Sequence, residues 1–248
     1  MKEWKEYLFK VNGFEMTAVY NEDTIQKVFL PLLNNYSSYK RKKERIIVFM
    51  AAPPAVGKTT LCEFFGIFIK TRSRVYRHSS IRIRWISIIT LITLILMMRS
   101  CLEKKLPMKQ VKGCPETYDT EKLRQKLEKI KIEDILWPIY DRNLHDVVED
   151  QIKVTKDIIL IEGNWLLLKQ EPWKSMQQYA DYKILILAEE EMLKERLISR
   201  KEKGGLTREE AVAWYQNSDS KNVTRVLKDS LKGNLLLKVE EDNDYIKM

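Results

Sequence analysis

The chain has 248 residues, with 44 Lys or Arg against 35 Asp or Glu and a net charge of +9, enough for one sizeable α/β domain or at most two small ones. Three cysteines (Cys62, Cys101, Cys114) without metal-type spacing and two histidines (His78, His145) exclude a disulfide framework and a histidine-rich metal site. Residues 66–112 hold eleven Lys or Arg and one acid, Glu103, so the net charge belongs to one segment. A protein adapted to polyanions spreads basic residues over its folded faces, and the expected partners therefore include neither nucleic acid nor membrane.

The first ten residues lack the apolar core of a signal peptide, which makes the cytoplasm the expected compartment. Residues 1–20 alternate loosely, as a small strand or hairpin does. From Asn21 onward, Ile25, Val28, Phe29, Leu32 and Leu33 recur at helical spacing and predict an amphipathic helix, with Pro31 placed to kink it. Its apolar stripe is expected to pack on the domain; a membrane-facing role is the alternative. The polar run 34–44 reads as a linker, so residues 1–44 form an N-terminal helical extension and 45–248 the main domain.

Ile46 to Met50 is a short apolar run of β-formers, suited to a buried parallel strand. Thr59, Thr60, Leu61, Phe64 and Phe65 then follow at helical spacing. Between strand and helix lies Ala52-Pro53-Pro54-Ala55-Val56-Gly57-Lys58-Thr59, a phosphate-loop pattern with alanine at its first glycine. Successive backbone N–H groups form an anion-binding nest there, backed by the positive end of a helix dipole. Pro53 and Pro54 donate nothing, so the cradle falls on Ala55, Val56, Gly57, Lys58, Thr59 and Thr60. Lys58 can reach the β- and γ-phosphates and the Thr59 hydroxyl can ligate Mg²⁺.

From Gly66 to Leu102 there is no Asp or Glu, and Trp85 to Met98 is apolar but for Ser87, Thr90 and Thr93. Those 14 residues fall short of the roughly 18–20 that span a membrane. Past Leu106 order returns. Asp119 or Thr120 caps a helix bearing Leu123, Leu127 and Ile130 on one face. Trp137 to His145 reads as a loop dense in polar groups. Asp157 to Glu162 and Tyr182 to Leu187 are apolar strands, the first ending in the Glu162 carboxylate. A helix from about Glu189 carries Arg196 and Arg200, Thr207 with Glu210 makes a capping box for the next helix, and Leu235 to Val239 is a last strand. Strands alternating with helices predict an α/β fold with a doubly wound, mainly parallel sheet, whose ligands sit at the strands' carboxyl ends.

The phosphate loop, Pro115-Glu116-Thr117-Tyr118-Asp119, Trp137-Pro138-Ile139-Tyr140-Asp141-Arg142, Ile161-Glu162-Gly163-Asn164-Trp165 and Ser218-Asp219 with Asn222-Val223 together resemble the P-loop kinase family of uridine kinase, phosphoribulokinase and bacterial pantothenate kinase. The likeness is greatest to its nucleoside/nucleotide kinase-like, or fructokinase-like, bacterial branch, and covers about residues 20–65 and 106–240. It implies the P-loop NTP hydrolase fold and transfer of the γ-phosphoryl group of ATP, with Mg²⁺, to a hydroxyl of a small molecule: nucleoside, pentose, fructose-like sugar or pantothenate. Carried over, Lys58 and Thr59 hold phosphates and Mg²⁺, and Glu162 is the carboxylate near the metal. Tyr140, Asp141, Arg142 and His145 line the acceptor side, with a structural turn pair as the alternative for Asp141 and Arg142. Arg196 and Arg200 form a lid over the transferring phosphate, with a solvated helix face as the alternative. Asn222 joins the cofactor side.

One family element is missing, a strand ending in Met-Asp-Gly-Phe-His whose Asp is the usual candidate for the catalytic base. Pairing each codon's last base with the first two of the next offers an account. Trp85–Ile86 must then encode Asp, and Arg84–Trp85, Ile86–Ser87 and Ser87–Ile88 can encode Met, Phe and His. Residues 66–102 are accordingly expected to be a frame-shifted stretch, a sequencing error or a real lesion, that joins no sheet. A genuine buried insert and a membrane-contacting segment are the alternatives.

Overall fold

The computed structural model describes residues 2–11, 14–33, 45–75, 89–91, 113–141, 146–155 and 158–248. Trp4–Val11 (β1) and Phe14–Asn21 (β2) pair antiparallel as a hairpin, with Tyr7 opposite Ala18. Asn21 caps the helix α1, spanning 22–33, by accepting from the Asp23 N–H. Its buried residues include Ile25, Phe29, Leu32 and Leu33, so the predicted stripe packs on the domain. The N-terminal extension thus has a hairpin before its helix.

Ile46–Ala51 (β3) is wholly buried and leads through the phosphate loop into Lys58–Val75 (α2). The main sheet has the order β10-β9-β8-β3-β7-β4, completed by Ile89–Leu91 (β4), Ile158–Gly163 (β7), Tyr182–Ala188 (β8), Leu235–Val239 (β9) and Tyr245–Lys247 (β10). Neighbouring strands are parallel except for the edge pair β9–β10. Strand alternation sends side chains to two layers. Ile46, Val48 and Met50 pack with α1 and with Leu61, Phe64 and Phe65 of α2. Ile47, Phe49 and Ala51 pack with Leu123, Leu127 and Ile130 of Thr120–Ile130 (α3) and with Trp165 and Trp173. Each large apolar side chain buried in this way stabilises the fold by about 1.5–3 kcal/mol. The chain therefore has the P-loop NTPase α/β fold with a mainly parallel sheet.

Two expectations need correction. Ile135–Asp141 (β5) is a strand, not a loop, and pairs antiparallel with Asp146–Val154 (β6) as a separate ribbon. Pro138 cannot donate to a ladder, and the register shifts between Trp137 and Ile139 around it, the irregularity that accommodates a strand proline. The stretch 66–102 does join a sheet in part. Its residues up to Val75 continue α2, and Ile89–Leu91 pairs in parallel with Ile159–Ile161 at the sheet edge. Residues 76–88 and 92–102, with Trp85 and Ile86 among them, lie outside the described residues.

The second half follows the expected helices. Asp119 accepts from the Lys122 N–H at 2.9 Å at the start of α3. Glu190–Lys203 (α4) is followed by Arg208–Trp214 (α5), whose Thr207–Glu210 capping box is complete. A π-type turn, Tyr215–Asp219, joins α5 to Ser220–Asp229 (α6). Among the described residues no helix is long and apolar enough to cross a membrane.

Candidate active site

β3 and β7 are neighbours in parallel register, with Met50 opposite Glu162 and Ala51 opposite Gly163. Their carboxyl ends set the phosphate loop beside the Glu162 carboxylate. The loop turns sharply because Ala55 and Gly57 adopt left-handed backbone conformations, with φ of 66° and 99°. That region is open to glycine and strained for alanine, so the loop stores strain at the residue that opens the anion nest.

Lys58 starts α2 and its ammonium folds back to donate to the carbonyl oxygens of Ala52 (3.1 Å) and Pro53 (2.9 Å). Burial pushes its pKa down to about 8; the Glu162 carboxylate opposes this fall and the Arg200 charge adds to it. Thr59 donates its hydroxyl to Glu162 Oε1 at 2.8 Å, and Glu162 is only 5% exposed. A buried carboxylate needs such a partner. Among the described residues no three His, Cys, Asp or Glu gather as a metal cage. The donor pair is a hydroxyl and a carboxylate, both hard oxygens, and this fits Mg²⁺, which keeps waters and takes phosphate oxygens for its remaining positions.

The two arginines of α4 go to different places. Arg196 reaches the loop, where Nη1 donates to the Ala55 carbonyl at 3.3 Å, and Nη2 donates to Asn243 Oδ1. Arg200 bears on Lys58 and on Asp219. Burial pushes the Asp219 carboxyl up, against the pull of Lys201 and Arg200, and its Oδ2 has no hydrogen-bond partner among the described residues. Val56 is buried, and Thr60 and Gly57 face a cavity beyond the loop. Asn222 is buried in α6; a Cβ on Gly113 would come within 3.9 Å of its amide nitrogen, and the Gly113 carbonyl accepts from the Trp165 indole at 3.0 Å. Tyr140 and Asp141 end β5, opposite Val147 and Asp146. Arg142 and His145 lie outside the described residues.

No protein-family model matches the chain. YggC of Escherichia coli, itself uncharacterized, is 36% identical over 237 residues, covering 95% of this chain and 96% of YggC. A candidate uridine kinase of Schizosaccharomyces pombe is 26% identical over 215 residues, 83% of this chain and 88% of that protein. Pantothenate kinase of Streptococcus agalactiae is 26% identical over 201 residues, 73% of this chain and 62% of that enzyme. The chain belongs to the P-loop kinase family of YggC, uridine kinase and pantothenate kinase. Two solved structures share its fold. The candidate P-loop kinase YFH7 of Saccharomyces cerevisiae has a TM-score of 0.65 at 17% identity, covering 84% of this chain and 98% of its own. The candidate fructose transport system kinase of Silicibacter sp. TM1040 has 0.64 at 22%, covering 78% and 89%.

In this member of the P-loop kinase family the phosphate loop was legible from the sequence because its parts are contiguous. Other parts of the site's surroundings were not. Asn243 and Tyr245 sit in and after the β9–β10 turn, and Trp4 and Thr17 in the N-terminal hairpin, yet all four border the cavity at Gly57 and Thr60. The one signal was the turn-forming run Glu240-Glu241-Asp242-Asn243-Asp244, which marks a bend ahead of Tyr245 without saying what it touches.

Proposed function

We propose that the chain transfers the γ-phosphoryl group of MgATP to a hydroxyl of a nucleoside- or sugar-like small molecule. The observation that carries this reading is the meeting of Lys58, Thr59 and Glu162 at the carboxyl ends of adjacent parallel strands. Phosphoryl transfer is chiefly positioning and charge stabilisation. The Lys58 ammonium, now held on two loop carbonyls, swings to the β- and γ-phosphates. Thr59 and Glu162 would hold Mg²⁺, which would supply positive charge against the phosphates. Arg200, whose charge already reaches Lys58, closes over the transferring group. Asp141, with Tyr140, Arg142 and His145 nearby in sequence, is assigned to the acceptor. The protein is assigned to the cytoplasm, without nucleic-acid or membrane partners.

The test is MgATP-dependent ADP release over a panel of nucleosides, pentoses, fructose-like sugars and pantothenate, with Lys58→Ala as control. Acceptor-dependent release by the parent and none by Lys58→Ala is the expected result. Nucleotide affinity unchanged in Lys58→Ala would sink the site assignment.

A second reading follows from the absence of any Asp or Glu between Gly66 and Leu102. On this reading the chain binds MgATP but is catalytically impaired, because a frame-shifted stretch has replaced the segment that supplies the base. The DNA sequence across codons 60–106 decides whether the shift belongs to the gene.

A further inference from the structure

A cavity of about 400 Å³ opens beside the phosphate loop, with Gly57 and Thr60 but not Glu162 in its lining. Gly57 and Thr60 contribute to one wall. Thr59 and Thr60 are neighbours on α2, about 100° apart around the helix, so that Thr59 meets Glu162 while Thr60 borders the cavity. The phosphate loop and this cavity thus share Gly57 and Thr60 as a common wall.

The other walls come from opposite ends of the chain. On one side stand Trp4, Thr17 and Tyr20 of the β1–β2 hairpin; on the other stand Arg196 and the β9–β10 turn with Asn243. These walls are tied together rather than loosely apposed. Lys2 pairs with Asp242 at 2.7 Å and Asp244 at 2.9 Å. Asn21 Nδ2 donates to Asp244 Oδ2 at 2.9 Å, and Thr24 Oγ1 donates to Asp244 Oδ1 at 2.5 Å. The turn is tied to the loop in its own right. Asn243 takes a left-handed φ of 68° and accepts from Arg196, whose other nitrogen holds the Ala55 carbonyl. One guanidinium thus bridges two left-handed residues, one in the phosphate loop and one in the turn.

We infer that the N-terminal hairpin is a working wall of the nucleotide site: the nucleoside end of the phosphate donor lies between the hairpin and the β9–β10 turn, with Trp4 and Thr17 as hairpin residues that recognise it. The inference rests on the reading of the phosphate loop as a triphosphate site. The chemistry suits an aromatic base on a sugar. Tyr20 and Trp4 offer ring surface, while the Thr17 hydroxyl and the Asn243 amide nitrogen, left over once its oxygen serves Arg196, offer polar contacts. The hairpin is thus part of the kinase site and not an appendage before it.

The test compares MgATP with magnesium tripolyphosphate, which carries the phosphates without a nucleoside. Calorimetric titrations are run on the full chain, on Thr17→Trp, on Trp4→Ala and on Lys58→Ala. Thr17→Trp, which fills the cavity from an exposed strand position, is expected to weaken MgATP at least tenfold while tripolyphosphate stays within twofold. Trp4→Ala is expected to weaken MgATP three- to tenfold with the same selectivity. Hydrogen exchange on the unaltered chain serves as a second measurement that needs no variant to fold. MgATP, but not tripolyphosphate, should slow exchange at residues 4–7, 17–20 and 242–245. MgATP binding unchanged in both hairpin variants, or equal protection by the two ligands, overturns the inference and leaves the phosphate site standing provided Lys58→Ala has lost affinity. If Lys58→Ala binds MgATP like the parent, the reading beneath it falls as well.

Discussion

Lys58 shows how a single residue links binding to stability. Its ammonium is held out of water, and its pKa falls on folding to about 8. A lysine whose pKa is lower in the folded state than in the unfolded one costs stability at every pH below the folded value. The cost fades as pH rises from about 8 toward the ordinary lysine range. Lys58→Met keeps the stem and removes the buried charge, so it is expected to raise stability at pH 7 by up to about 3 kcal/mol while abolishing nucleotide binding. Chemical denaturation and nucleotide titration of the same variant check both halves; a less stable Met variant would refute the argument from burial. The charge also sets a pH dependence. Phosphates need the ammonium form, so MgATP affinity should weaken as pH rises past about 8, by up to tenfold per unit. Residue-level chemistry of this kind was the most legible part of the sequence, since the Gly-Lys-Thr pattern carries its strand and helix on either side. Arg196 and Arg200 were less so. Helical spacing puts both on one helix but does not reveal that one meets Ala55 and Asn243 while the other bears on Lys58.

At the scale of elements, the sequence revealed those that bury apolar residues in a local period. β3, β7, β8 and β9 read as apolar runs, α3 as a leucine stripe, and α5 as a complete capping box. Less legible were elements held by partners far away in the chain. β10 is three residues long, and what fixes it is Asp244, buried one residue ahead of it and gathering Lys2, Asn21 and Thr24 from the other end of the molecule. Burial by itself would raise the pKa of this carboxyl; hydrogen bonds from Asn21, Thr24, Lys2 and the Tyr245 N–H outweigh it and hold the pKa below the usual carboxylate range. A carboxylate depressed on folding contributes stability that is present above its unfolded pKa and is lost as pH falls through the folded value. The hairpin-to-hairpin junction is therefore expected to loosen in acid, below about pH 4, and less so in Asp244→Asn, which keeps only the exposed Lys2–Asp242 pair to lose. Asp244→Ala takes the carboxylate acceptor from three buried donors, Asn21 Nδ2, Thr24 Oγ1 and the Tyr245 N–H, and should cost about 2–4 kcal/mol, read as a lower midpoint in urea. An Asp244→Ala midpoint equal to the parent's would show that the junction contributes nothing to the fold.

Over the whole molecule, the charge and the missing acid point to the same place. The net positive charge resides in residues 66–112, and Gly66 to Leu102 contains no Asp or Glu, although the site around Lys58 is otherwise assembled. The sheet edge marks where this matters. β4 runs parallel to β7, the strand that carries Glu162, and Leu91 is paired with Ile161, one residue before that carboxylate. A positioned general base adds about 10²–10⁴-fold to a rate. A chain lacking it, but retaining Lys58, Thr59, Glu162 and Arg200, should bind MgATP normally and turn over slower by at least that factor. The decisive comparison sets this chain beside a version recoded in the alternative frame across residues 66–102, which places an Asp at the Trp85–Ile86 junction. Both are assayed for MgATP affinity and for acceptor-dependent ADP release over the same nucleoside and sugar panel. Equal affinities with turnover faster by at least about 10²-fold in the recoded chain are expected, and would support the kinase reading and the lesion together. Full turnover by the chain as written would defeat the frame-shift account and move the search for the base to Asp141, where Asp141→Asn should then remove the activity without disturbing MgATP binding at Lys58.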